Sequence, residues 1–141
     1  MFKKGLKEGF TLIELLVVIA IIGIMSGVIL TSLGTARSKG LDAAIKGDLD
    51  SIRGEAEVYF DNNSQSYANM CANDPVVVKA LTAAKAIAGS GTSATPCTSS
   101  ATAWVTEIQL RSATGTTSFW CVDSAGNALM TAGTPVSGLC Q

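Results

Sequence analysis

Histidine is missing from this chain of 141 residues, which removes the commonest catalytic base and the imidazole ligand of most zinc sites. The four cysteines, Cys71, Cys97, Cys121 and Cys140, contain no Cys-x-x-Cys pair, so zinc is a poor reading of them. No Gly-x-x-x-x-Gly-Lys phosphate cradle occurs. An excess of either charge is also lacking: ten Lys and Arg face eleven Asp and Glu, a net charge of −1, with no basic run. That balance carries no electrostatic footprint for nucleic acid, and no such partner is expected. Proline is limited to Pro75, Pro96 and Pro135, so nothing from Phe10 to Asp74 interrupts a helix in the way proline does. These absences point away from an enzyme and leave no catalytic residue or cofactor to assign.

What is present is a long apolar run. From Phe10 to Leu33 there are 24 residues with one charge, Glu14. As a helix the run is about 36 Å long, enough to cross a hydrocarbon core of about 30 Å with some tilt. A carboxylate at the centre of such a segment costs about 3 kcal/mol on insertion scales, and near its end still needs a partner. Lys3, Lys4 and Lys7 precede the run with no acidic residue before Glu8, which keeps the leader cytoplasmic and sends the carboxy-terminal part outward. The cysteines all lie in that outward part. An even count in a small exported domain argues for disulfides, and sequence alone allows three pairings.

Gly9-Phe10-Thr11-Leu12-Ile13-Glu14, behind those lysines, closely resembles the processing site of type IV pilins and type II secretion pseudopilins. The resemblance covers roughly residues 3 to 33. It implies a membrane peptidase and methyltransferase that cuts after Gly9 and N-methylates Phe10, and a requirement for Glu14 in assembly. Loss of residues 1–9 would leave seven basic and ten acidic side chains, a balance of −3. A conventional signal peptide, with Gly34-Thr35-Ala36 imitating a cleavage site, has too short a core to match the run. A plain single-pass anchor explains the length and leaves the Gly9-Phe10 junction and Glu14 without a role. Many pilins carry a proline late in the apolar half; here Gly23, Gly27, Thr31 and Gly34 stand there instead. Gly23 and Gly27 form a small-x-x-x-small pair that lets membrane helices approach closely, although glycine is also simply frequent in membrane helices. Within the resemblance, Cys71 with Cys97 and Cys121 with Cys140 is the favoured pairing, because chain neighbours close short loops and a disulfide near the carboxy terminus is common in pilins.

The expected organisation is a leader (1–9), an apolar membrane and polymerisation half (10–33), an amphipathic half of the same helix (34–62) and a disulfide-stapled head (63–141). In the amphipathic half Leu41, Ile45, Leu49, Ile52, Ala56 and Tyr59 recur at steps of three and four, one helical face. Asp42, Lys46, Asp50, Arg53 and Glu57 alternate in sign on the other face, read as solvated. The helix is expected to run to about Asp61, about 78 Å. The polar stretch from Asp61 to Ser66 ends it; Asn62-Asn63-Ser64 fits a glycosylation pattern that is more often chance.

Asp74-Pro75 then opens a second helix towards Gly89, with Asp as cap and Pro at the first position. After the small-residue loop 89–96, Trp104 to Leu110 alternates as a half-buried strand, Thr117 to Asp123 makes a second, Ser124-Ala125-Gly126-Asn127 turns, and Ala128 to Thr131 returns. Trp104, Phe119 and Trp120 read as core or helix-facing aromatics. Asp123 and Asn127 are weak candidates for calcium, which the resemblance to major pseudopilins suggests.

The fold class is therefore α+β: a long helix with a short helix and an antiparallel sheet packed on its second half. The expected role is a filament subunit, made as a precursor in a bacterial cytoplasmic membrane and assembled with identical or related subunits by membrane machinery into a cell-surface or periplasm-spanning fibre. A pseudopilin of a secretion or DNA-uptake machine and a monomeric membrane-anchored binding protein are the alternatives.

Overall fold

A computed structural model describes residues 9–89, 96–112, 118–132 and 139–140. The chain divides into two compact units at Ala36 and Arg37. Helix α1, Leu12–Asn62, supplies residues to both.

In the first unit α1 is apolar on every side. Its large side chains from Leu12 to Leu33 are all exposed, with Val18 at 46% and Leu12 at 85%. This stretch is long and apolar enough to cross a membrane, and none of it is buried against protein. A helix that is hydrophobic all round needs lipid or other helices as its surroundings.

In the second unit the apolar residues of α1 narrow to a stripe. Ile45, Leu49, Ile52 and Ala56 are fully buried, and Tyr59 is half-buried beside them. They pack with Tyr67, Met70, Val77, Leu81, Ala84, Trp104, Ile108, Leu110 and Val122 in a single core. Each large aliphatic there contributes about 1.5–3 kcal/mol from removal from water.

α1 stops where the chain enters the left-handed region at Ser64 (φ 55) and Gln65 (φ 58), with the Gln65 amide turned back to the Phe60 carbonyl at 3.0 Å. A single turn, α2 (Met70–Asn73), follows, with no counterpart in the sequence reading. Asp74 then caps α3 (Pro75–Ala88): its Oδ1 accepts the Val76 and Val77 amides, each at 2.9 Å, while Pro75 occupies the first turn, where its missing N–H costs nothing. Gly89, at φ 83, closes α3, a backbone conformation that side-chain-bearing residues rarely take.

Strands β1 (Cys97–Ser99), β2 (Trp104–Gln109), β3 (Phe119–Asp123) and β4 (Ala128–Thr131) form one antiparallel sheet in the order β1-β2-β3-β4. The register sets Thr106 opposite Val122 and Ala128 on the core face, and Glu107 opposite Cys121 and Leu129 on the outer face. Cys71 is joined to Cys97, tying α2 to β1, and Cys121 to Cys140, tying the middle of β3 to the end of the chain.

Several expectations need correction. β2 is not half-buried: Trp104 through Ile108 are all buried, because Val105 and Cys121 on the outer face pack with Cys140 and Leu129. Phe119 points to that outer face, opposite Gln109 and Thr131, and not towards α1. β1 was unforeseen, and Thr117, expected to open β3, lies outside the described residues.

The charged stripe of α1 is only partly solvated. Asp42 is 6% exposed and accepts the Arg111 amide at 2.6 Å, the Ser112 amide at 3.2 Å and the Ser112 hydroxyl. Lys46 lies 4.4 Å from the Trp120 ring centroid, and Arg53 donates to the Gly126 carbonyl at 3.1 Å. Helical spacing placed these charges on one face, and the sheet then came to meet them.

Candidate functional site

The chemistry singled out at the amino terminus sits on the first turn of α1. Thr11 is the cap. Its backbone N–H and its hydroxyl both donate to Glu14 Oε2, at 2.9 and 2.7 Å, and the Glu14 amide donates back to Thr11 Oγ1 at 3.3 Å. This is the reciprocal capping box that Thr-x-x-Glu spells at a helix start, and it satisfies two amides that helix geometry leaves without partners. Thr11 was missed as a functional residue although its spacing to Glu14 is the signal. The cap gives Glu14 a local partner at an otherwise apolar end, so the carboxylate is held in place and not bare.

Around that turn, Phe10, Ile13, Glu14, Val17 and Val18 line a shallow, almost wholly apolar groove. Phe10 is 78% exposed, and the space beside the Gly9 α-carbon is open. The Gly9-Phe10 bond therefore stands on an uncluttered backbone just outside the helix. Lys3, Lys4, Lys7 and Glu8 lie outside the described residues.

Comparison with known proteins adds two findings. Residues 6–30 match the family described as the prokaryotic N-terminal methylation motif. Over 58 residues the chain is 43% identical to the type IV wide pilus major component PilA4 of Thermus thermophilus, a stretch covering 40% of this chain and 44% of that protein. Over part of its length the chain is similar to a type IV pilin. The chain thus spans under half the length of the curated relative it matches, and no solved structure matches.

Other candidates fall elsewhere. Gly23 and Gly27 lie on the exposed first part of α1, where an added β-carbon would meet nothing within 4 Å. The four cysteines stand in the second unit, all in disulfides.

Asp123 and Asn127 are brought together at the β3–β4 turn, but as a hydrogen-bonded knot. Asp123 Oδ1 accepts the Ala125 and Asn127 amides, both at 2.9 Å; Oδ2 accepts the Asn127 side-chain amide at 2.8 Å and the Cys140 amide at 2.9 Å. Burial raises the carboxyl, and these four N–H donors outweigh it, holding Asp123 below the usual carboxylate range. Every group aimed at the carboxylate is an N–H, so both Asp123 oxygens already have partners within the turn and at Cys140.

Two further groups in the head were not foreseen. Glu107, 2% exposed on the outer face of β2, is pushed above the ordinary carboxylate value by burial, and its Oε2 has no hydrogen-bond partner among the described residues. Tyr67 is raised by burial and by the Glu57 carboxylate that its hydroxyl meets at 3.2 Å.

Proposed function

We propose that this chain is a type IV pilin-like structural subunit, inserted in the membrane as a precursor, cut between Gly9 and Phe10, methylated on Phe10 and polymerised through the first part of α1. The observation that carries the reading is the pairing of the methylation motif over residues 6–30 with a helical stretch whose large apolar side chains are all exposed. A soluble domain would bury those side chains; a subunit keeps them for lipid first and for neighbouring helices afterwards.

Glu14 is the group that sets register in this scheme. Cutting after Gly9 creates a cationic amine on Phe10, and methylation leaves it basic. An amine and a carboxylate in an apolar interior are each costly alone and compensate one another when paired. Thr11 holds the Glu14 carboxylate at the very end of the helix, one turn from Phe10, where the amine of an incoming subunit can compete for it. The amine of the same chain, four residues away, is the rival partner.

Intact mass of purified protein tests the processing: the expected chain begins at Phe10 and carries one added methyl group. A mature terminus near Ser38 would instead identify a conventional signal peptide. Electron microscopy of sheared cells tests the assembly. Abundant filaments support a pilin, filaments only on overexpression a pseudopilin, and membrane-bound monomer alone overturns polymerisation.

A further inference from the structure

Arg37 and Arg111 line one cleft of about 420 Å³ in the second unit, with Ser38, Leu41, Ala86 and Ile87 completing its wall. Arg37 comes from α1 and Arg111 from just beyond β2, so the cleft is a product of the fold. Among the described residues no carboxylate forms an ion pair with either guanidinium. Asp42, five residues beyond Arg37, spends both carboxylate oxygens on the backbone amides of Arg111 and Ser112 and on the Ser112 hydroxyl. Arg111 Nη1 donates to the Ile87 carbonyl at 2.9 Å, which fixes the group while leaving most of its donors available. Among the described residues no hydrogen bond or ion pair engages the Arg37 side chain.

We propose that this cleft seats the phosphate of a phospholipid headgroup while the subunit is still in the bilayer. The inference rests on the membrane-inserted stage of the function proposed above. Arg37 is four residues past Leu33, the last of the apolar run, about 6 Å further along a helix. With that run in hydrocarbon, Arg37 stands at the depth where phosphates begin. Two arginines offer a phosphodiester the paired N–H geometry it accepts best, and an arginine already anchored loses less freedom on binding. Leu41, Ala86 and Ile87 supply an apolar wall beside the cations, which suits the glycerol end of a lipid better than free phosphate.

The test uses the full precursor chain reconstituted in two bilayers, phosphatidylglycerol and a phosphate-free diglucosyl-diacylglycerol. Insertion is checked first by co-flotation; failure there overturns the membrane reading itself. Arginine modification by phenylglyoxal is then followed residue by residue by mass spectrometry, with Arg53 as the internal reference. Arg111 is expected to react about tenfold more slowly in the phosphatidylglycerol bilayer, the size of one charge-assisted contact. Arg111→Gln keeps the backbone amide that Asp42 needs. It should raise the reactivity of Arg37 several-fold without changing co-flotation.

Equal Arg111 rates in the two bilayers would overturn the lipid proposal alone. So would protection by millimolar inorganic phosphate in the glycolipid bilayer, which would identify a free anion. Protection seen only in assembled filaments would identify a second copy as the occupant. Unchanged Arg37 reactivity in Arg111→Gln would mean that Arg37 merely touches the interface.

Discussion

Residues 12–33 and 41–59 belong to one helix, yet the first stretch exposes every large side chain it has and the second buries Ile45, Leu49, Ile52 and Ala56 completely. The contrast is one of distribution more than of hydrophobicity. Apolar residues on all sides cannot be covered by one small sheet, whereas a stripe can. Among the described residues nothing covers the large side chains of the first stretch, whereas those of the second are stabilised by packing against the head. Substitutions should accordingly fail in different ways: in the first stretch they should change assembly at constant folding, and in the second they should change folding itself.

The largest expected effect tests the first half. Glu14→Val makes the segment more apolar, so insertion and trimming should proceed normally while filament formation falls to background. Filaments of normal number and length built by trimmed Glu14→Val subunits alone would leave charge pairing without support. Thr11→Val removes the hydroxyl but keeps the backbone donor to Glu14, and a partial loss of filaments is expected.

Next comes a matched pair of leucines. Leu49→Ala, at a fully buried position, should destabilise the head by about 2–5 kcal/mol in urea unfolding. Leu16→Ala, 58% exposed on the same helix, should change it by no more than about 0.5 kcal/mol. Equal losses would erase the distinction between the two stretches. Replacing Cys121 and Cys140 together by Ser opens a loop with a sequence separation of 19 and should cost about 3 kcal/mol in the same assay. Non-reducing peptide mapping should find that link and Cys71–Cys97, and free thiols in exported protein would contradict both.

The contrast also marks what could be read from residues alone. Periodicity revealed the buried stripe of α1, and Asp74-Pro75 announced α3, because both are local rules. The apolar run and Gly9-Phe10 were legible for the same reason. Asp42 was misread as solvated since helical spacing says which face a residue occupies and nothing of what a segment 69 residues away brings to it. The buried outer face of β2 depends likewise on Cys140, and β1 has only three residues in which to show an alternation. Thr11 was missed for another reason: its capping spacing was visible, but the resemblance had already given Glu14 a different task.

Asp42→Ala should cost about 1–3 kcal/mol by leaving the Arg111 and Ser112 amides without acceptors in a half-dry site. The smallest effects are the two buried carboxyls of the sheet, and they have opposite signs. Glu107 is raised in the folded state, so the protein binds its proton more tightly folded than unfolded; this stability is full below about pH 4.3 and is lost as pH rises through the folded value. Glu107→Gln should therefore stabilise the head at neutral pH and lose that advantage in acid. Asp123 is lowered, so its contribution is present above about pH 3.9 and disappears as pH falls through its folded value. Asp123→Asn should destabilise at neutral pH and become progressively neutral in acid. Thermal midpoints of both variants across that range check the signs.

The order of the sheet has a consequence for crowding. Its outermost strands are its two shortest, β1 with three residues and β4 with four, against six and five in the middle. A sheet margin is a template on which another chain can add a strand, and brevity is one of the ways natural proteins discourage such recruitment. β1 also begins at a disulfide, which restrains the movement that exchange would need. At high protein concentration, heads with such margins trade strands less easily. The same arrangement tells an engineer where not to intervene: lengthening β1 or β4 with alternating apolar residues would turn a quiet margin into a nucleus for fibrils of the wrong kind.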